Sequence, residues 1–286
     1  MTPQFLALVT SFFYAGCFLA ARRGLMYSTP VTAAYVALSV NTTILWLVAF
    51  MTGGVRAIPF IAIACFAVGG WLQLVTRLCA YTGVARMGAS VTSTVQATNP
   101  LFSTTLAVLL LHETVTPFLL SGTGLVVAGI GLISWRPQHQ KQTYRTWELV
   151  FPLAASFSAG LNHPLRRYGL TVANQPLLLS AVMGTAALVP MLLNLLNPKA
   201  RARLMPDRRA MPYFLVTGVF EAIGIWSLVA ALGNGNVVVV GPIVCIAPLW
   251  VLLGTMLFSR DIEQVNLRTA IATLFVIIGV VAIYLA

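Results

Sequence analysis

The run PYFLVTGVFEAIGIWSLVAAL (212–232) decides the class of this chain, because it is long enough to cross a membrane and carries one charged residue, Glu221. A helix needs about 20 apolar residues to span the hydrocarbon core. Runs of the same kind lie at 3–21, 31–52, 59–82, 89–111, 116–135, 148–168, 177–197, 236–258 and 267–286. Together they predict an all-α integral membrane protein with ten transmembrane helices. The connections are short and carry turn or charge signals: Arg22-Arg23, Gly53-Gly54, Arg86-Met87-Gly88, His112-Glu113, RPQHQKQTYR (136–145), Arg166-Arg167, Lys199 to Arg209, Gly233-Asn234-Gly235 and SRDIE (259–263). None of them is long enough to hold a soluble domain.

Composition agrees. Of 286 residues, 59% are apolar and only 8% charged, against roughly a quarter charged in a soluble domain. A water-covered globule is excluded. The net charge of +11 raises the question of nucleic acid, but the bases sit in short loops between apolar runs, where membrane topology accounts for them. Cys17, Cys65, Cys79 and Cys245 lie inside apolar stretches without CxxC or CxH spacing, so neither a disulfide framework nor a metal site is expected. The first run lacks a basic segment before it, and Arg22-Arg23 follow it. It therefore reads as a retained helix, not a cleaved signal.

An internal repeat organises the rest. At an offset of 144, Ala15-Gly16 matches Ala159-Gly160, and Arg22-Arg23 matches Arg166-Arg167. At an offset of 148, Pro100-Leu101 matches Pro248-Leu249, Gln73 matches Glu221, Glu113 matches Asp261 and Gly131 matches Gly279. The chain divides into two five-helix halves, 1–142 and 143–286. An odd number of helices per half makes the second half enter from the opposite side. Inverted repeats of this kind build many secondary transporters, which bind substrate near the midplane between the halves.

Two segments carry a family resemblance. GASVTSTVQATNPLFSTTLAVLLLHETVTPFLLSGTGLVVAGIGLI (88–133) has small residues opening a helix, a mid-helix proline, a Glu at its end and then a Gly-rich helix. It resembles the C-terminal part of an EamA repeat of the drug/metabolite transporter superfamily. NVVVVGPIVCIAPLWVLLGTMLFSRDIEQVNLRTAIATLFVIIGVVAIY (236–284) is similar to the second copy, with Arg260-Asp261 where the first has His112-Glu113. The resemblance implies transport of small metabolites such as amino acids, nucleotide sugars or drugs, often coupled to ions. It does not name the substrate.

The prolines and polar residues inside the runs are the candidate machinery. Pro100 and Pro248 each remove an N–H and displace the carbonyl four residues back, at Gln96 and Val244. Broken backbone at membrane depth is tolerated where it faces protein or a wet cavity. Pro100, Pro248 and the additional Gly241-Pro242 break are therefore expected to form a hinge or gate, with Asn99 beside them. Packing kinks without a function are the alternative. Glu221 is the one acid deep in a run. Such residues face a bundle interior and serve function by default, which makes Glu221 a candidate for proton coupling or for neutralising a cationic substrate. Gln73, Arg77 and Tyr81 recur at four-residue steps and so share one helical stripe. If Arg77 faces inward, Glu221 is its deep anionic partner; if not, it snorkels to the interface. Tyr14, Trp226, Trp250 and Asn162 complete the expected substrate site, with Trp71 and His163 as weaker candidates.

No GxSxG, HExxH, paired-carboxylate motif or P-loop is present, so neither an enzyme nor an ATP-driven pump is expected. The reading is a secondary active exporter of small organic metabolites, amino acids or amines, working by alternating access as a monomer or weak homodimer without a cofactor. A lipid-head-group flippase or a non-transporting membrane subunit is the alternative. Counting bases per side, the odd-numbered connections hold thirteen, against Arg56, Arg166 and Arg167 on the side of the termini. Lys and Arg in short loops stay cytoplasmic, which predicts a plasma (inner) membrane protein with both termini outside.

Overall fold

The structure is a computed structural model that describes residues 2–52, 57–87, 92, 95–96, 98–112, 116–134, 145–194, 196–198, 207–258, 271, 274–275, 278–279 and 282. Ten helices are fully traced: α1 (Pro3–Gly24), α2 (Pro30–Met51), α3 (Phe60–Met87), α4 (Asn99–Leu111), α5 (Pro117–Ser134), α6 (Val150–Val172), α7 (Pro176–Asn194), α8 (Met211–Asn234), α9 (Val237–Val244) and α10 (Ala247–Phe258). A short 3-10 turn, Thr146–Leu149, leads into α6. There is no strand among the described residues. The last predicted run, 267–286, lies almost wholly outside them. So do Arg56, Glu113, Arg136, Lys141, Lys199, Arg260, Asp261 and Arg268.

Five helices, α1, α2, α3, α7 and α8, are long and apolar enough to cross a membrane, and α4, α5, α9 and α10 are shorter apolar pieces. The chain is a multi-pass membrane protein. Apolar side chains such as Phe60, Trp71, Leu109 and Leu193 point out of the bundle, as expected where lipid is the solvent. Local chemistry starts the helices. Thr2 and Thr29 accept hydrogen bonds from the backbone N–H groups of Phe5 and Thr32, with Pro3 and Pro30 at the first helical position. That arrangement satisfies one orphan donor and uses a residue that has none to lose.

The packing is reciprocal between the halves. α1 packs on α8 while α3 packs on α6; α2 meets α7; α1 meets α9 and α10 while α4 meets α6; and α4 meets α9. The contacts of α1 to α4 thus recur with the two halves exchanged. Small residues allow the close approach that packing in lipid requires. Gly70 of α3 lies directly against the backbone carbonyl of Met183 in α7, and a Cβ there has no room.

Several sequence boundaries move, since α1, α3 and α8 run on through Arg22-Arg23, Arg86-Met87 and Gly233-Asn234, which were expected in connections. The sixth run was expected to end at 168, with Arg166-Arg167 in a connection, but α6 continues to Val172. Arg166 is buried within the bundle, whereas its repeat mate Arg22 is exposed in the last turn of α1. Arg167 donates to the carbonyls of Leu232 and Gly233 at the end of α8, at 2.7 and 3.2 Å. Cations beside the last carbonyls of a helix are favoured.

Candidate functional site

α6 is the most polar helix of the bundle, with Ser156, Ser158, Asn162, His163 and Arg166 all buried on it. Polar side chains turned inward at membrane depth need something polar to face. Asn162, His163 and Arg166 face a cavity of about 150 Å³. α1 contributes Tyr14, Cys17 and Phe18; α3 contributes Gln73, Thr76, Arg77, Ala80 and Tyr81; α6 contributes Ala159, Asn162, His163 and Arg166; α8 contributes Glu221, Ile225 and Leu228. Gln96 and Asn99 enter from the start of α4, and Val244, Cys245 and Ala247 from the junction of α9 and α10. Helices one, three and four of each half therefore build the wall.

The predicted stripe of Gln73, Arg77 and Tyr81 is buried and faces this cavity as one seam. Arg77 turns inward and does not snorkel. Its Nε lies 2.6 Å from Glu221 Oε1, with the two side chains only 4% and 10% exposed. Bulk water screens such a pair far less than one at the surface, and each charge depends on the other. Arg166 adds a second guanidinium, whose Nη2 donates to Gln73 Oε1 at 3.1 Å. Asn162 Nδ2 donates to the Gly69 carbonyl at 2.8 Å and so ties α6 to α3. Gly224 of α8 leaves space for Tyr14, whose ring would lie 2.8 Å from a Cβ at that position.

Both proline breaks border the cavity. In the first half, Thr98 sits in a turn between the helical residues 95–96 and the start of α4 at Asn99-Pro100. The Gln96 carbonyl that Pro100 leaves without its helical donor accepts a hydrogen bond from Ser156 Oγ at 3.4 Å. That hydroxyl also meets Thr98 Oγ1 at 2.9 Å. In the second half, α9 carries Gly241 and Pro242, a turn at Cys245-Ile246 follows, and α10 opens on Ala247-Pro248. The anticipated kink is a true interruption, because Pro248 cannot bond back to Val244. Gly241 and Pro242 are buried and are not among the residues that line the cavity.

Tyr14, Gln73, Arg77, Tyr81, Asn99, Asn162 and Glu221 are thus brought together at one cavity. Two aromatic residues are not. Trp226 is 40% exposed on the outside of the bundle. At 100° per residue it stands about 140° around α8 from Glu221, which carries it off the cavity face. Trp250 stays beside the site as a packing residue. It donates from Nε1 to Ser11 Oγ at 3.0 Å and stacks edge-on to Phe12, fixing α10 against α1. Trp71 is 64% exposed and likewise faces away. Arg166 is the charged cavity residue absent from the expected site, and Gln96, Thr76 and Cys17 also line the cavity without having been expected there. The signal for Arg166 was present in the stripe Asn162, Arg166, one helical turn apart, but the Arg-Arg pair looked like an interface.

Comparison with known proteins agrees with this architecture. The model of the EamA-like transporter family matches residues 1–135 and again 146–285. No curated protein matches the chain. A solved crystal structure superposes with a TM-score of 0.77 at 14% identity, over 99% of this chain and 96% of its own. At that identity the likeness is one of fold.

Proposed function

The chain belongs to the EamA-like transporter family, and on that premise we propose that it is a secondary active exporter of small organic metabolites, amino acids or amines, working by alternating access. Ten spans form two inverted five-helix halves, 1–142 and 143–286, that rock around the shared cavity. The observation that carries this reading is the wall of the cavity, which draws charged and polar groups and an interrupted helix from each half. Broken helices at the interface between repeats are where carriers of this build bind their cargo.

In this reading Glu221 is the coupling group, since transport needs its pairing with Arg77 to change during the cycle. Pro100, Pro248 and Gly241-Pro242 act as hinges. The described wall of the cavity comes from one chain, which supports a working monomer or weak homodimer. With Arg166 buried, the bases number thirteen on the side of the odd connections against two on the side of the termini. In a plasma (inner) membrane, the charge rule then supports an orientation with both termini outside. Purified protein in liposomes tests the function. Saturable counterflow with members of a broad metabolite panel is expected; no counterflow overturns it, and movement of labelled lipid alone makes the chain a flippase.

A further inference from the structure

Among the described residues, the cavity contains two guanidinium groups and one carboxylate, and the carboxylate belongs to Arg77. Arg166 is buried at 4% exposure. Its hydrogen-bond partners are neutral, the amide oxygen of Gln73 and the hydroxyl of Tyr14, the charge acting on it is the like charge of Arg77, and its Nε has no hydrogen-bond partner. A buried cation is retained where an anion pairs with it. Here the anion is not among the described side chains.

The surrounding groups indicate what would fit. Gln73 Nε2 and Gln96 Nε2 are buried donors without partners. Both residues line the same cavity as Arg166. Asn99 Oδ1 and Asn162 Oδ1 are buried acceptors without partners on that wall. With Arg77 and Glu221 cancelling, one positive charge is left. A protonated amine alone would add a second like charge, whereas a carboxylate would neutralise the one present.

We infer that the cavity binds a small organic carboxylate, with the carboxylate group docked on the free Nε edge of Arg166. The guanidinium fork suits a planar carboxylate. An amino acid satisfies this through its carboxylate, with its ammonium turned to the Asn99 and Asn162 oxygens; a simple acid satisfies it without them. A bare amine does not. The inference rests on the carrier reading and narrows its substrate class.

Thermal unfolding of the purified protein tests it, since a ligand bound to the folded state raises apparent stability. Two matched series serve as probes: leucine, 4-methylpentanoate, leucinamide and isopentylamine, then phenylalanine, 3-phenylpropanoate, phenylalaninamide and phenethylamine. A saturable rise in Tm is expected for a carboxylate of at least one series and none for its amide and amine. Arg166→Gln should weaken carboxylate binding about 10- to 100-fold, the size of a charge-assisted hydrogen bond, and Arg166→Lys should restore part of it. Amides and amines that stabilise the wild type as well as the carboxylates do overturn the inference, as does undiminished carboxylate binding by Arg166→Gln. Should that variant fail to fold, the wild-type selectivity and Arg166→Lys still decide. No response to either series also overturns it, while counterflow with the broad panel separately decides whether the chain is a carrier at all.

Discussion

Two arginines of α3 reach across to the second half of the chain, and their surroundings could hardly differ more. Arg77 meets Glu221 in the middle of the bundle, with both side chains nearly closed off. Arg86, in the last turn of the same helix, meets Glu148 at 3.0 Å with its side chain 43% exposed. Its guanidinium also lies over the rings of Trp147 and Phe151, at 5.4 and 5.0 Å to the centroids. The chemistry of the two pairs is the same, but the solvent is not. At the exposed end water competes for each partner, so the pair is a fastener of small value. In the interior neither charge has an alternative, so the pair is sensitive to any change in either member. A site that must change its charge pairing during a cycle belongs in the second setting.

Breaking the buried pair has the largest expected effect. Glu221→Gln leaves Arg77 buried and unpaired, and should cost about 3–5 kcal/mol of stability while abolishing counterflow. The double variant Arg77→Gln with Glu221→Gln should regain most of the stability and none of the transport. Denaturation of both variants in detergent, set beside counterflow in liposomes, checks the prediction. Equal stability of the single variant and the wild type would remove the contrast between the two pairs.

Crowding the same region without touching charge comes next. Gly224→Ala places a methyl group against the Tyr14 ring and should destabilise by about 1–3 kcal/mol, as overpacking does. Apparent affinity for substrate should fall with it, because Tyr14 borders the cavity. A smaller loss, about 1 kcal/mol, is expected of Ser156→Ala, which removes the donor to the Gln96 carbonyl at the first helix break. Unfolding measurements on both variants test these values.

Arg86→Gln should show the smallest effect, about 0.2–1 kcal/mol. It should shrink further as salt is raised, since exposed charges are screened within a Debye length. Salt titration of the unfolding midpoint for this variant and for Glu221→Gln compares the two regions directly. Only the exposed pair should respond.

Much of this was legible in the sequence because lipid makes burial of charge rare. A lone Glu in an apolar run is conspicuous, and the four-residue spacing of Gln73, Arg77 and Tyr81 fixes a common face without knowledge of neighbours. The paired prolines revealed the helix breaks for a similar reason, since a missing N–H acts whatever surrounds it. Trp226 was misplaced because an aromatic residue is equally at home against lipid and against protein; only its angle from Glu221 decides. Arg166 was misplaced because two adjacent arginines at the edge of a run look like an interface. The helix in fact sends one inward to Gln73 and the other to the end of α8. Adjacent residues on a helix point about 100° apart, and the difference between the two arginines is visible only once the neighbouring helices are in place.

The central claim is that the cavity walled by both halves is reached in turn from the two sides of the membrane. Ala159, which lines it, can be changed to Cys in a chain whose four native cysteines are replaced by Ser or Ala. The protein is then reconstituted in liposomes in one orientation and exposed to a membrane-impermeant maleimide added outside or trapped inside. The account predicts labelling from either side, each slowed by a substrate that supports counterflow. Labelling confined to one side under all conditions would show that the cavity does not alternate and would contradict the account.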